Sequence, residues 1–123
     1  MDITALAANG KNIAVVHSNE VIIGDVQSAL DLIATVRFET DSDYIVINKL
    51  LISENFFDLK TGLAGEVLQK FINYRVKVAI FGDFSEYSSR SLKDFMYECN
   101  RGNDLFFLPA EQDAIEKLSL LKQ

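Results

Sequence analysis

The sequence has few of the residues from which common metal and redox sites are built. Of its 123 residues one is cysteine, one is histidine, one is proline and none is tryptophan. A single cysteine, Cys99, excludes an intrachain disulfide. With His17 as the only histidine, one chain cannot assemble a zinc site of the Cys/His type. We therefore predict no metal site and no disulfide-dependent secreted scaffold.

Basic residues and long apolar runs are also scarce. Twelve lysines and arginines stand against 18 acidic residues, which gives a net charge of −6. A protein that binds nucleic acid needs a basic stripe, so we predict no nucleic-acid partner. The first residues carry no basic segment followed by an apolar run, and no run approaches the ~18 residues that span a membrane. The sequence predicts a cytoplasmic protein without a membrane partner.

No catalytic constellation stands out. The sequence lacks a Gly-rich phosphate loop of the P-loop or dinucleotide type. Cys99 falls on an apolar helical stripe with no histidine to activate it, so a buried structural thiol is expected. His17 is expected at the surface. Asp58 and Asp83 are the only plausible acid pair, and nothing in the sequence brings them within reach of each other. We predict no catalytic residue and no cofactor, and we favour a non-enzymatic protein.

The chain does contain the pattern of one α/β domain, which we assign to residues 1–123. Apolar residues make up 49% of it, and short β-like runs alternate with longer helical ones. Asn9 and Gly10 form a favoured hairpin turn between the first two runs. The predicted order is β-β-β-α-β-α-β-α-β-α, with about five or six strands in a single mixed sheet and helices packed on it. The predicted strands are residues 2–7, 12–17, 20–23, 44–47, 76–81 and 105–108.

Helix signals place the four predicted helices. Asp25 is a plausible N-cap of the first helix. Its predicted buried stripe consists of Val26, Ala29, Leu30, Ile33 and Ala34. The second helix follows Thr61. The third covers residues 88–100, where Ser91 and Asp94 could form a capping box. Pro109 opens the last helix.

Polar residues follow the ends of the predicted parallel strands, where ligands of open α/β sheets bind. Asn48 follows one strand, and Asp83 and Ser85 follow the next. A connector with Asp58 leads into a helix at Thr61, and a helix N-terminus carries partial positive charge. We expect these side chains to meet on one edge of the sheet.

Two glycines in the first turn of that helix need an explanation. Gly62 and Gly65 each cost up to ~1 kcal/mol relative to alanine inside a helix. Packing on the sheet does not obviously require either of them. Close approach of a partner backbone, a phosphate or a neighbouring loop would be a physical reason, so we add both glycines to the binding edge.

Three stretches carry a resemblance that covers essentially the whole chain. They are residues 56–66 (FFDLKTGLAGE), 74–84 (YRVKVAIFGDF) and 87–92 (YSSRSL). With these motifs the sequence resembles the bacterial family called domain of unknown function 4180, a name that implies no activity.

The element order and the motif around Thr61 are more distantly similar to STAS domains, the sulfate transporter and anti-sigma factor antagonist modules. In that family a serine or threonine before a glycine is phosphorylated, and the phosphate switches partner binding. The resemblance implies a STAS-like fold and makes Thr61 the phospho-acceptor before Gly62, with Asp58 as the motif aspartate. Asn48 stands where the family has an acid, and an additional residue separates Asp58 from Thr61.

The same residues could also have purely local structural roles, because Asp58 and Thr61 suit helix capping and Asp83 suits a turn. We interpret the chain as a regulatory or protein-binding module with a protein partner, either a monomer or a homodimer. The alternative is a small-molecule-binding protein or minor enzyme that uses Asp58, Thr61 and Asp83. A third is a subunit that only oligomerises. The first predicts an exposed apolar patch, the second a concave pocket and the third a two-fold contact.

Overall fold

The strands form one mixed sheet, as the sequence predicts. The computed structural model describes residues 1–122. Its sheet has the order β1-β2-β3-β4-β5, in which β1 is antiparallel to β2 and the other neighbours are parallel. The strands are β1 (Asp2–Ala8), β2 (Lys11–His17), β3 (Tyr44–Asn48), β4 (Lys77–Phe81) and β5 (Leu105–Leu108).

Five α-helices pack on this sheet and confirm the α/β class. A connector between β3 and β4 contains the shortest helix and two 3₁₀ turns, Lys49–Leu51 and Leu59–Thr61. The sequence pattern predicts no regular structure in residues 49–60, where these short elements lie. The helices are α1 (Val26–Thr40), α2 (Glu54–Phe57), α3 (Leu63–Tyr74), α4 (Arg90–Asn100) and α5 (Glu111–Ser119). No helix within residues 1–122 is long and apolar enough to cross a membrane.

The predicted strand at residues 20–23 is wrong. Only Ile23 makes a single parallel bridge, to Ile52 in the connector, and the Ser53 N–H donates to the Ile23 carbonyl at 2.8 Å. The segment pairs with the connector instead of the sheet: the N–H groups of Ile22 and Ile23 both donate to the Leu51 carbonyl, at 2.7 and 3.1 Å. Ile23 is nevertheless buried, and burial explains its apolar character.

Local signals account for the turns and helix starts. Asn9 and Gly10 both have positive φ, 51° and 78°, as a tight hairpin turn requires. Asp25 caps α1 through a reciprocal pair of hydrogen bonds with Ser28.

Two other predicted helix starts need correction. The capping box of Ser91 and Asp94 does not form, because α4 is capped two residues earlier, where the Ser89 hydroxyl accepts the Leu92 N–H at 3.2 Å. Pro109 precedes α5, which begins at Glu111.

The two faces of the sheet are covered unequally. Strands β2 to β5 are added in one direction, so right-handed crossovers place α1, α3 and α4 on the same face. The larger core cluster lies there and includes Phe56, Phe71 and Phe107. On the other face, α5 is the only described helix that packs across the strands, and it buries Ala114 and Leu118 against Val46 and other strand residues.

Candidate functional site

A cleft of about 470 Å³ lies where β3, β4 and β5 end. These strands are parallel, so their carboxyl ends share one edge of the sheet. After β4 the chain turns toward α4 on one face, and after β5 it turns toward α5 on the other. Diverging exits from neighbouring strands open a crevice, which is where α/β sheets bind ligands. We call it the strand-end cleft; its lining residues are Asn48, Lys49, Leu50, Phe81, Gly82, Asp83, Glu86, Pro109, Ala110 and Glu111.

Lys49 is the unusual residue of this cleft, because its side chain is only 7% exposed. It follows β3 directly and points beneath the loop that leaves β4. Gly82, the first residue of that loop, has φ +152°, a conformation that favours glycine. A Cβ on Gly82 would lie 2.6 Å from Lys49 Cγ, so the lysine stem occupies the space that a side chain would need.

The Lys49 ammonium is held by partners from that loop. It forms an ion pair with Glu86 and donates to the Tyr87 hydroxyl at 3.3 Å. The ammonium also lies 4.5 Å from the centre of the Tyr87 ring, a cation–π distance. Tyr87 donates in turn to the Glu54 carboxylate of α2, with oxygen distances of 3.0 and 3.1 Å. One lysine thereby joins the β3 end, the β4–α4 loop and α2.

The electrostatics keep this network charged at neutral pH. Burial lowers the pKa of Lys49, but hydrogen bonds to Glu86 and Tyr87 raise it, and the net pKa lies above its ordinary value. Burial raises the pKa of Tyr87, so its hydroxyl stays protonated. Lys49 is therefore an ammonium and not a free amine nucleophile.

An aromatic cluster supports the network from the core side. Phe57 stacks on Tyr87 with ring centres 5.1 Å apart, and Phe84 meets Phe107 edge to face at 5.6 Å. Phe57 and Phe107 are buried, which fixes the base of the loop. The loop that contributes Glu86 and Tyr87 is thus anchored at both ends by packing.

The predicted binding edge is only partly brought together. Asn48 and Asp83 line the strand-end cleft. The Asn48 side chain accepts the Leu50 N–H at 2.9 Å, and the Asp83 side chain accepts the Ser85 N–H at 2.9 Å. These bonds to Ser85 lower the pKa of Asp83, so the carboxylate stays ionised. Ser85 belongs to the same turn.

Asp58 and Thr61 lie elsewhere, at exposed positions before α3. Asp58 caps the second 3₁₀ turn, where it accepts the Lys60 N–H at 3.2 Å. The Thr61 hydroxyl donates to the Asn55 carbonyl at 2.7 Å, lies 2.9 Å from the Asp58 carbonyl and accepts the Leu63 N–H at 3.2 Å. Neither residue lines the strand-end cleft. Within the described chain, neither is hydrogen-bonded to the predicted edge residues after β3 and β4.

The two glycines of α3 have different explanations. Gly62 has φ +78° and ends the 3₁₀ turn, so its backbone conformation calls for glycine. Gly65 is helical and exposed, and a Cβ there would meet nothing within 4 Å. The exposed side chains beside it, Glu66 and Gln69, are polar. Among the described residues no large exposed apolar side chain marks an apolar patch at this end of α3.

The remaining chemically interesting residues do not join the cleft. Cys99 is half-buried against the core, and burial, Asp104 and Glu98 raise the pKa of its thiol to about 11. His17 ends β2 at the surface. The part of the chain that the structure describes contains no group of three or more metal-ligating side chains.

Sequence reasoning missed the two most informative cleft residues. No sequence pattern assigns a role to Lys49 or to Glu111. A lysine next to an apolar strand is ordinarily solvated, so its burial had no direct signal. The one available hint was Gly82 at the end of β4, a glycine where a neighbouring chain passes closely.

A family model described as Domain of unknown function (DUF4180) matches residues 8–118. The searches of curated proteins and of solved structures found no match.

Proposed function

The chain belongs to the DUF4180 family, and because that description names no activity, we propose a function from the strand-end cleft. The protein is a non-enzymatic binding module that holds a small molecule with an apolar body and a positively charged group. The divergence of β4 and β5 toward opposite faces carries this proposal, since it makes the crevice. This is the small-molecule alternative that the sequence leaves open, with the binding site in the strand-end cleft instead of at Asp58 and Thr61.

The charges around the cleft favour a cationic ligand. Asp83, Glu86 and Glu111 contribute three carboxylates, whereas Lys49 is the one basic lining residue and is paired with Glu86. Leu50 is 71% exposed and supplies an apolar wall. An amine or guanidine would meet carboxylates at the rim and apolar surface beneath, the composition typical of small-molecule sites.

The same residues argue against a covalent reaction in the cleft. The lysine is held as an ammonium by its hydrogen bonds, and neither Cys99 nor His17 lines the cleft. Asp83 is engaged with Ser85 and its pKa is lowered, so it is a poor general acid near neutral pH. Binding is the role that this arrangement supports.

A thermal-shift panel of primary amines and guanidines tests the proposal. A bound ligand stabilises the native state by RT ln(1 + [L]/Kd), so binding raises the melting temperature. We expect the rise in the wild type and its loss in Glu111→Gln. Glu116→Gln, an exposed change on the same helix outside the cleft, is the matched control. Carboxylate or phosphate probes that bind instead, or a response unchanged in Glu111→Gln, would contradict a cationic ligand.

A second candidate function is regulatory protein binding switched at Thr61. Two observations support it: Thr61 is exposed, and it lies at the N-terminus of the 12-residue helix α3. A phosphate would add roughly −1.5 to −2 charge where the helix dipole favours it. The hydroxyl would lose the proton that it donates to the Asn55 carbonyl. Repulsion from Asp58 would oppose the change. A STAS-like fold and a bacterial, cytoplasmic protein partner belong to this proposal.

Phosphorylation and partner capture test this second candidate separately. Recombinant protein incubated with bacterial lysate and ATP is examined by mass spectrometry for phosphate on Thr61. A pull-down then compares wild type with Thr61→Glu, and Ser91→Glu, a substitution at an exposed position of α4, serves as the control. A partner lost only with Thr61→Glu supports the switch. Absence of phosphate on Thr61, together with equal capture by all three proteins, would remove its basis.

A further inference from the structure

The outer side of β1 is an open sheet edge. β1 pairs with β2 along all seven residues, from Asp2 with His17 to Ala8 with Lys11. Among the described residues no strand pairs with its other side. An edge strand exposes backbone N–H and C=O groups that can pair with another strand. Monomeric proteins usually protect such edges against pairing with another chain.

The two edges of the sheet differ in protection. β5, at the opposite edge, has four residues and is followed at once by Pro109, so it offers a short template. β1 has the sequence DITALAA, with no proline, no lysine or arginine, and one charge at its end. Its register with β2 is continuous, without a bulge. Natural sheets protect edges with the devices that β1 lacks.

We propose that β1 pairs antiparallel with β1 of a second copy of this chain, about a two-fold axis at Ala5. An antiparallel pair of identical strands is isologous, so the same surface serves both protomers. Centring the pair on Ala5 uses all seven residues and sets Asp2 opposite Ala8 and Ile3 opposite Ala7. No like charges face each other in this register. The product is one continuous ten-stranded sheet.

Side chains on both faces of β1 agree with this pairing. Ile3 is half-buried against the core cluster beneath α1, α3 and α4, while Leu6 and Ala8 are half-buried against the cluster under α5. Ala5 and Ala7 are exposed and small, so a second strand can approach closely. A second β1 would extend both core clusters across the axis.

The size of the contact sets the strength that we expect. A single pair of seven-residue strands buries less than the roughly 1,200–2,000 Å² of a stable interface. The dimer is therefore in concentration-dependent exchange with the monomer. Sedimentation analysis from micromolar to millimolar protein should show the mass rise from 13.8 kDa toward twice that value.

A charge introduced at the two-fold axis tests the interface. Ala5→Lys places two ammonium groups opposite each other, so we expect a monomer at every concentration. Ala34→Lys, an exposed substitution on α1, adds the same charge away from the edge and should leave dimerisation unchanged. Thermal unfolding of both variants shows that they fold. A dimer that persists in Ala5→Lys overturns the proposal.

Cysteine cross-linking tests the register. In a Cys99→Ser background, Ala5→Cys places two cysteines directly opposite, with Cα atoms ~4.5–5.5 Å apart, within the range of a disulfide. Ala7→Cys places them four positions apart, ~14 Å along the strand, so it should not cross-link. Cross-linking of Ala7→Cys alone overturns the register. A wild-type monomer at all concentrations overturns the pairing and leaves the edge to a strand of another protein.

Discussion

Gly82 and Lys49 are mutually dependent: the lysine stem passes through the volume that any side chain at position 82 would fill. The atoms concerned are 2.6 to 3.2 Å from an ideal Cβ on Gly82. Because Lys49 holds Glu86 and Tyr87, the absence of a side chain at position 82 allows the lysine to anchor the β4–α4 loop.

Gly82→Ala should destabilise the protein and loosen the loop. A residue forced into a positive φ of this kind costs about 1–3 kcal/mol, and displacement of the lysine adds to it. We expect a lower free energy of unfolding in urea and faster proteolysis between residues 82 and 89. A variant as stable as the wild type would show that the backbone relaxes at no cost.

Gly65→Ala should stabilise the protein. This glycine is helical, exposed and without a neighbour within 4 Å of a Cβ. Alanine is favoured over glycine inside a helix by up to ~1 kcal/mol. Urea unfolding should show an increase of that order, and the variant serves as a matched control for Gly82→Ala. If Gly65 instead accommodates a partner, the gain in stability will come with loss of that partner in a pull-down.

Lys49→Met should affect the cleft more than the fold. Glu86 is 64% exposed and remains solvated without its partner, so we expect a loss of no more than about 1 kcal/mol at neutral pH. Ligand binding should change, because the network that holds Glu86 is gone. Lys93→Met, an exposed lysine of α4, should alter neither property. A loss of several kcal/mol would instead assign Lys49 a mainly structural role.

The free energy of unfolding measured at alkaline pH gives a second test of the role of Lys49. Its folded pKa lies above the ordinary value of 10.5, so its contribution to stability is fully present below pH 10.5 and is lost as pH rises through the folded pKa. The pKa of Tyr87 is raised from 10.0, so the contribution of Tyr87 to stability is also lost as pH rises. The stability difference between wild type and Lys49→Met should be constant from pH 7 to about pH 10 and shrink above it.

The Cys99 thiol should react slowly. Raising its pKa from 9.0 to about 11 lowers the thiolate fraction at pH 8. The rate of reaction with a disulfide reagent should fall on the order of 100-fold, since the thiolate is the nucleophile. Protein unfolded in guanidinium supplies the reference rate. A native rate equal to it would contradict the burial of the thiol.

Five of the six predicted strands form, because their signals are local. Asn9 and Gly10 define the hairpin, and the apolar run of residues 44–47 is bounded by polar residues. The buried stripe of α1 was only partly correct. Ala29 and Ile33 are buried as predicted, but Leu32 and Val36 are also buried, and the predicted Ala34 is exposed. Both stripes have helical spacing, and packing against the sheet and α3 chose the one with larger side chains.

The sequence predicts the location of the cleft at the strand ends, but it does not predict which residues line it. Chain order sets Asn48 and Asp83 at one edge because parallel strands end together. Asp58 and Thr61 were expected beside them, but two 3₁₀ turns and α2 intervene along the connector, and both residues are used as local hydrogen-bonding groups. Burial of Lys49 depends on a loop 37 residues later in the chain, so no local pattern reports it.

The unequal covering of the sheet bears on how the chain folds during synthesis. Every strand leaves the ribosome before Glu111–Ser119, the helix that alone covers one face. Without α5, the side chains of Ile13, Val46 and Phe106 would be exposed to solvent on that face, even where the strands have already paired with one another. A chain that ends before residue 111 should therefore bind a hydrophobic dye that the full chain does not bind.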